Sequence, residues 1–103
     1  MASLLYISSP YSHPDRSVVE ARFVSVCRYA AHLVGRGHVV FSPIAHSHCI
    51  CTHGGAPNTH SAWMAQDLEI LSRCDSLHVL GLKGWDMSVG VREEMQFARV
   101  KGI

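Results

Sequence analysis

Apolar positions along the chain fall into short solid runs and longer helical stripes, in alternation. The run SLLYIS, bounded by Pro10, predicts a buried strand. A turn-rich SPYSHPDRS follows, in which Ser12, Pro14 and Asp15 signal a helix start. Val18, Val19, Phe23, Val26, Cys27, Ala30, Ala31 and Val34 then recur at helical spacing, and Gly35, Arg36 and Gly37 stop the helix. HVVFS predicts a second buried strand, cut off by Pro43. Residues 43–60, rich in Gly, Pro, His and Ser, read as a long loop, and such loops are usually functional or mobile. Residues 61–74 predict a second helix, with Trp63, Met64, Leu68, Ile70 and Leu71 as its apolar set. SLHVLGL is a third strand and KGWDMSVG a loop. VREEMQFARVKG is a third helix, with Val91, Met95, Ala98 and Val100 facing inward and Gly102 as its stop.

The order β-α-β-α-β-α predicts an α/β fold. Solid apolar strands between amphipathic helices imply a short parallel sheet with helices on both faces and right-handed crossovers. This is a Rossmann-like (flavodoxin-like) three-layer sandwich, and 103 residues make one domain. Ligands of such folds sit off the C-terminal ends of the strands, which singles out loops 8–14, 42–60 and 82–90. A fourth strand is expected after ARVKGI. A bare sheet edge invites pairing, so a homodimer or higher homo-oligomer is expected.

Composition narrows the partners. Net charge is +1 and only 17% of residues are charged, which argues against a nucleic acid polymer held on a basic face. No apolar run reaches the length of a membrane span. MASLLYISSP lacks the basic start of a secretion signal, so a cytoplasmic protein with four free thiols is expected.

Four stretches could carry chemistry. In WDMSVGVREEM, Ser88 is a good N-cap and Gly90 lets a ligand approach the backbone. The free amides of that helix start suit an anion such as a phosphate. Glu94 follows on the same face, and an ionised carboxylate there is a reasonable nucleophile for an anomeric carbon. Glu93 and Glu94 also fit a plainer role as acids that favour the start of a helix. Asp67 is a poor interior helix residue, either exposed or turned into a site as an acid or a partner of a base. Tyr6 lies in the first strand, and Ser8, Ser9, Tyr11 and Ser12 at its C-terminal end could hold a sugar or phosphate, or simply build a turn. PIAHSHCICTHGG places His46, His48, Cys49, Cys51 and His53 close together. Its spacings are too short for the usual paired zinc ligands. On an extended segment His46 and His48 would share one side and the cysteines the other. That favours one or both histidines lining a substrate pocket, with no metal.

Taken together, the tyrosine of the first strand, QDLEIL…CD on the second helix and S-x-G-V-x-x-E opening the third resemble the nucleoside 2-deoxyribosyltransferase superfamily, which includes nucleotide N-glycosidases. SPYS, SPIAHSH and GW…S-x-G-V-x-x-E are similar to a small bacterial and phage branch of it, over residues 4–102. The resemblance implies cleavage of the base–sugar bond of a nucleoside or nucleoside 5'-monophosphate without a cofactor. It implies Glu94 as the nucleophile on C1', Tyr6 as the group that orients it, and Asp67 as the acid that meets the base. Serine at position 88, where transferases of free nucleosides tend to carry aspartate, implies a 5'-phosphate and hydrolysis. The arginine of the nucleotide hydrolases' first loop is replaced here by SSPYS, leaving Arg16 or Arg92 as substitutes. Two other classes fit the same residues: a non-catalytic nucleotide or nucleotide-sugar binding module, and a metal-binding protein using the His/Cys loop.

Overall fold

The apolar run at the N-terminus forms the central strand of the sheet. The structure, a computed structural model, describes residues 3–103. Its elements are β1 (Leu4–Ser8), α1 (Arg16–Gly35), β2 (Val39–Phe41), α2 (Pro43–Gly54), α3 (His60–Leu71), β3 (Ser76–Val79) and α4 (Val89–Lys101), with a 3-10 turn at Trp85–Met87. The strands are parallel in the order β2-β1-β3. The fold is an open three-stranded parallel sheet flanked by four helices, a Rossmann-like α/β sandwich.

Alternation along β1 divides the core in two. Leu5 and Ile7 pack with Val26 and Leu33 of α1, and with Ile44 and Ala45 of α2. Tyr6 points the other way, into a cluster with Leu71 of α3, Cys74 and Phe97 of α4. One face of the sheet is therefore covered by α1 and α2, the other by α3 and α4. Asp75 fastens the start of β1: its carboxylate accepts from the Leu4 amide at 2.7 Å, and its own amide donates to the Leu4 carbonyl at 2.8 Å.

Residues 43–60 are not one long loop. Pro43–Gly54 is helical, and only the stretch up to Thr59 connects it to α3. The Ser42 hydroxyl caps α2 by accepting from the Ala45 amide at 3.1 Å, with Pro43 in the first turn. Gly55, at φ 68°, closes α2 in the left-handed conformation. These start and stop signals are ordinary, but the run of His, Cys, Ser and Thr between them has weak helix propensity and no clear apolar stripe. Smaller differences have similar causes. The cap of α1 is Asp15, which accepts from the Ser17 amide at 2.9 Å, and Ser12 lies outside the helix. Leu33 is the buried residue at the end of α1, while Val34 is 59% exposed. In α4 the buried stripe is Val91, Glu94 and Ala98, and Val100 falls off it into solvent.

Ile7 is fully buried in the α1–α2 half of the core. Truncating Ile7→Ala is expected to cost about 3 kcal/mol in urea unfolding, through lost transfer energy and the cavity left behind. Val34→Ala, on the exposed side of α1, is expected to stay within about 0.5 kcal/mol.

Candidate active site

A glutamate occupies a core position of α4, and its surroundings account for that. Ser88 caps the helix, its hydroxyl accepting from the Val91 amide at 3.2 Å. Glu94 comes one turn after Val91 and one turn before Ala98, so it shares their inward face. On the facing strand, Tyr6 and Ser8 are two apart and therefore point to the same side. The Tyr6 hydroxyl donates to Glu94 Oε2, and the Ser8 hydroxyl donates to Oε1 at 2.7 Å. Both carboxylate oxygens are thus held, on a residue only 4% exposed.

The electrostatics are unusual. Burial raises the Glu94 pKa to about 7, against the opposing pull of the two hydroxyl hydrogen bonds; the charges of Asp67 and Glu93 add to the rise. Tyr6 is pushed far above the ordinary phenol range, first by burial and then by the Glu94 charge, so it remains a donor. Asp67 of α3 is also buried, and burial lifts it to about 6 against the opposing effect of His60.

Glu94 and Asp67 both line a cavity of about 690 Å3. Its wall comprises Ser9, Tyr11 and Ser12 after β1, Ser47 of α2, the His60–Trp63–Met64–Asp67 face of α3, and Ser88 and Gly90 at the start of α4. The cavity therefore lies at the C-terminal ends of the strands, where parallel sheets bind ligands. Arg22 of α1 joins two rims of it. It donates to the Ser12 carbonyl at 2.9 Å and the Lys83 carbonyl at 3.0 Å. Gly84 makes room for this: its φ is 91°, and a Cβ there would stand 2.7 Å from Arg22 Nη2. The Ser9 hydroxyl is buried in the cavity wall and has no hydrogen-bond partner among the described residues, a donor that a bound ligand can satisfy.

The structure brings together most of the residues expected from sequence. Ser9, Tyr11, Ser12, Asp67, Ser88, Gly90 and Glu94 line the cavity, and Tyr6 and Ser8 stand behind Glu94. His46 and His48 do not line it. In a helix they point about 200° apart instead of sharing a side, and Ser47 between them faces the cavity. His46 lies exposed beside the Phe41 ring, 5.6 Å between centroids. His48 stacks on Phe23 at 3.9 Å, with Nδ1 2.7 Å from the Tyr11 hydroxyl and Nε2 3.4 Å from Glu20. Among the described residues, no group of three or more His, Cys, Asp or Glu is placed to hold a metal ion. Arg16 and Arg92 are also absent from the cavity wall, where the cations are Arg22 and Lys83. The signal for His60, Trp63 and Met64 was present in the sequence: they precede Asp67 at intervals of seven, four and three, one face of a helix.

The model of a family described as a domain of unknown function, DUF1937, matches residues 3–103. No curated protein matches the chain.

The raised carboxyl pKa values make a stability prediction. Folded Glu94 holds its proton up to about pH 7, whereas the unfolded chain releases it near 4.5. Across that window the folded state binds more protons, so this group's contribution to stability is present at low pH and is lost as pH rises toward 7. Glu94→Gln, which cannot ionise, is expected to remove that decline. Its stability relative to wild type should increase between pH 4.5 and pH 7.5 by up to roughly 3 kcal/mol, read from urea midpoints at the two pH values.

Proposed function

We propose that this chain, which belongs to the DUF1937 family, cleaves the bond between a base and C1' of a nucleoside or nucleoside 5'-monophosphate. The reading rests on one observation above the others. A buried carboxylate on a cavity wall has both its oxygens held by hydroxyls, from Tyr6 and Ser8. Such a carboxylate is aimed and desolvated, as a nucleophile on an anomeric carbon needs to be.

Ionised Glu94 attacks C1' as the C1'–N bond breaks, through an oxocarbenium-like transition state. The electron pair of that bond leaves with the base, and the base takes up a proton. Tyr6 and Ser8 keep the attacking oxygen oriented. Asp67, on the α3 side of the cavity, meets the base. Water then resolves the glycosyl-enzyme to give hydrolysis, or a second base resolves it to give transfer. No metal or cofactor enters these steps. The cavity has the volume usual for a small-molecule site. The uncharged Ser88 cap and the first amides of α4 suit a 5'-phosphate, and Arg22 and Lys83 add positive charge to the wall. A 5'-monophosphate is therefore the preferred substrate.

The test is base release, followed by chromatography, from a panel of nucleosides, nucleoside 5'-monophosphates and NAD. Wild type is expected to release base from at least one of them, and Glu94→Gln to lose at least about a thousandfold in kcat while still binding substrate. Because Glu94 must be ionised, kcat/KM is expected to fall about tenfold per pH unit below about pH 7. A wild-type protein that releases no base from any of these compounds overturns the proposal.

A further inference from the structure

We propose that His60, held by Glu93, is the acid that protonates the leaving base; this role rests on the glycosidic reading above. His60 opens α3 and lines the cavity. Its Nε2 lies 3.1 Å from Glu93 Oε2, on α4 across the seam. Glu93 is the neighbour of the nucleophile, so the two adjacent glutamates divide their work: Glu94 turns inward to Tyr6 and Ser8, and Glu93 turns to the histidine.

The Glu93 contact fixes the imidazole chemically. With Nε2–H donating to the carboxylate, Nδ1 is the nitrogen left to exchange a proton with a ligand. A carboxylate that orients a histidine in this way is a recurring device in proton transfer.

Position separates His60 from Asp67. Both lie on the cavity face of α3, seven residues and about 10 Å of helix rise apart. Asp67 is buried and its charge reaches Glu94, so it meets the base at the end nearest the sugar. The His60 side chain is 50% exposed, at the cavity mouth, where solvent can return a proton after each turnover. Between them stand Trp63 and Met64. The Trp63 indole N–H donates to the Pro57 carbonyl at 2.7 Å, which steadies its ring. A base whose C1' lies at Glu94 extends outward along this face, past Asp67 and against Trp63, so that its outer edge comes to His60.

The step balances as follows. The C1'–N bond breaks and its electron pair passes to the base. Imidazolium Nδ1–H gives its proton to a base nitrogen, and neutral His60 remains, still donating Nε2–H to Glu93. Glu93 is a positioning residue and does not itself exchange the proton.

The experiment compares a purine nucleoside 5'-monophosphate with its N7-methylated form. The methylated base carries a positive charge and leaves as a neutral molecule without a proton, so it needs no acid. His60→Gln is expected to lose about a hundredfold in kcat on the ordinary substrate and less than about threefold on the methylated one. Glu93→Gln keeps an acceptor for Nε2–H and is expected to lose about tenfold on the ordinary substrate alone. Equal losses on both substrates, or no loss on either, overturn the role of His60 and leave the glycosidic reading standing. A wild type that releases pyrimidines and no purine also overturns it. No base release by wild type from any compound overturns the glycosidic reading itself, and this role with it.

Discussion

The carboxylate of Glu94 sits inside the protein, and much of the structure is arranged around it. An unpaired charge in that position would cost several kcal/mol. Two hydroxyls, from positions 6 and 8 of the central strand, each satisfy one oxygen. This works only because a strand sends alternate residues to the same face and a helix returns to the same face every three to four residues. It also needs β1 at the centre of the sheet and α4 packed across it. The glutamate is then tolerated in the stripe formed by Val91 and Ala98. Even so, burial outweighs the hydrogen bonds and leaves Glu94 with a pKa raised to about 7. The group is neither a structural salt bridge nor an ordinary surface acid.

The parallel sheet brings the rest of the cavity to the same place. Loops after β1 and β3 meet above the strand ends, and Arg22 ties them together through backbone carbonyls. With carbonyls as its acceptors, Arg22 has no carboxylate partner among the described residues. Gly84 permits this closeness because it lacks a Cβ. The buried Ser9 hydroxyl adds a donor that pairs with none of the described residues. These features support the proposal of a polar, partly anionic small ligand.

How legible the fold was depended on the clarity of each local pattern. β1, with four buried residues in a row, was plain, and so was α4, where Ser88 and Gly102 mark both ends. α2 was hidden because its composition suggests chemistry. His46, His48, Cys49 and Cys51 drew attention as possible ligands, while Ser42-Pro43 and Gly54-Gly55 were the quieter signs of a helix. Taking the segment as extended put His46 and His48 on one side; as a helix it sends them to opposite sides and brings Ser47 to the cavity. His48 instead packs between Phe23 and Tyr11, supporting the cavity wall from behind.

By itself, the sequence determined the order of the three strands and of α1, α3 and α4, the parallel sheet, and the segments at its ligand end, though not the helix α2 within one of them. These follow from hydrophobic periodicity and capping, which act over a few residues and are written locally. It also pointed to Asp67 as a costly helix residue, to Ser88 as a helix cap with Glu94 on the same face, and, through the family resemblance, to Tyr6. The tertiary structure alone decided which side chains meet. Ser8 binding Glu94 spans 86 positions and His60 binding Glu93 spans 33. Such contacts depend on how helices pack across a sheet, and no local pattern encodes that distance. The raised pKa values are likewise products of burial, which exists only once the chain has closed around its carboxylates.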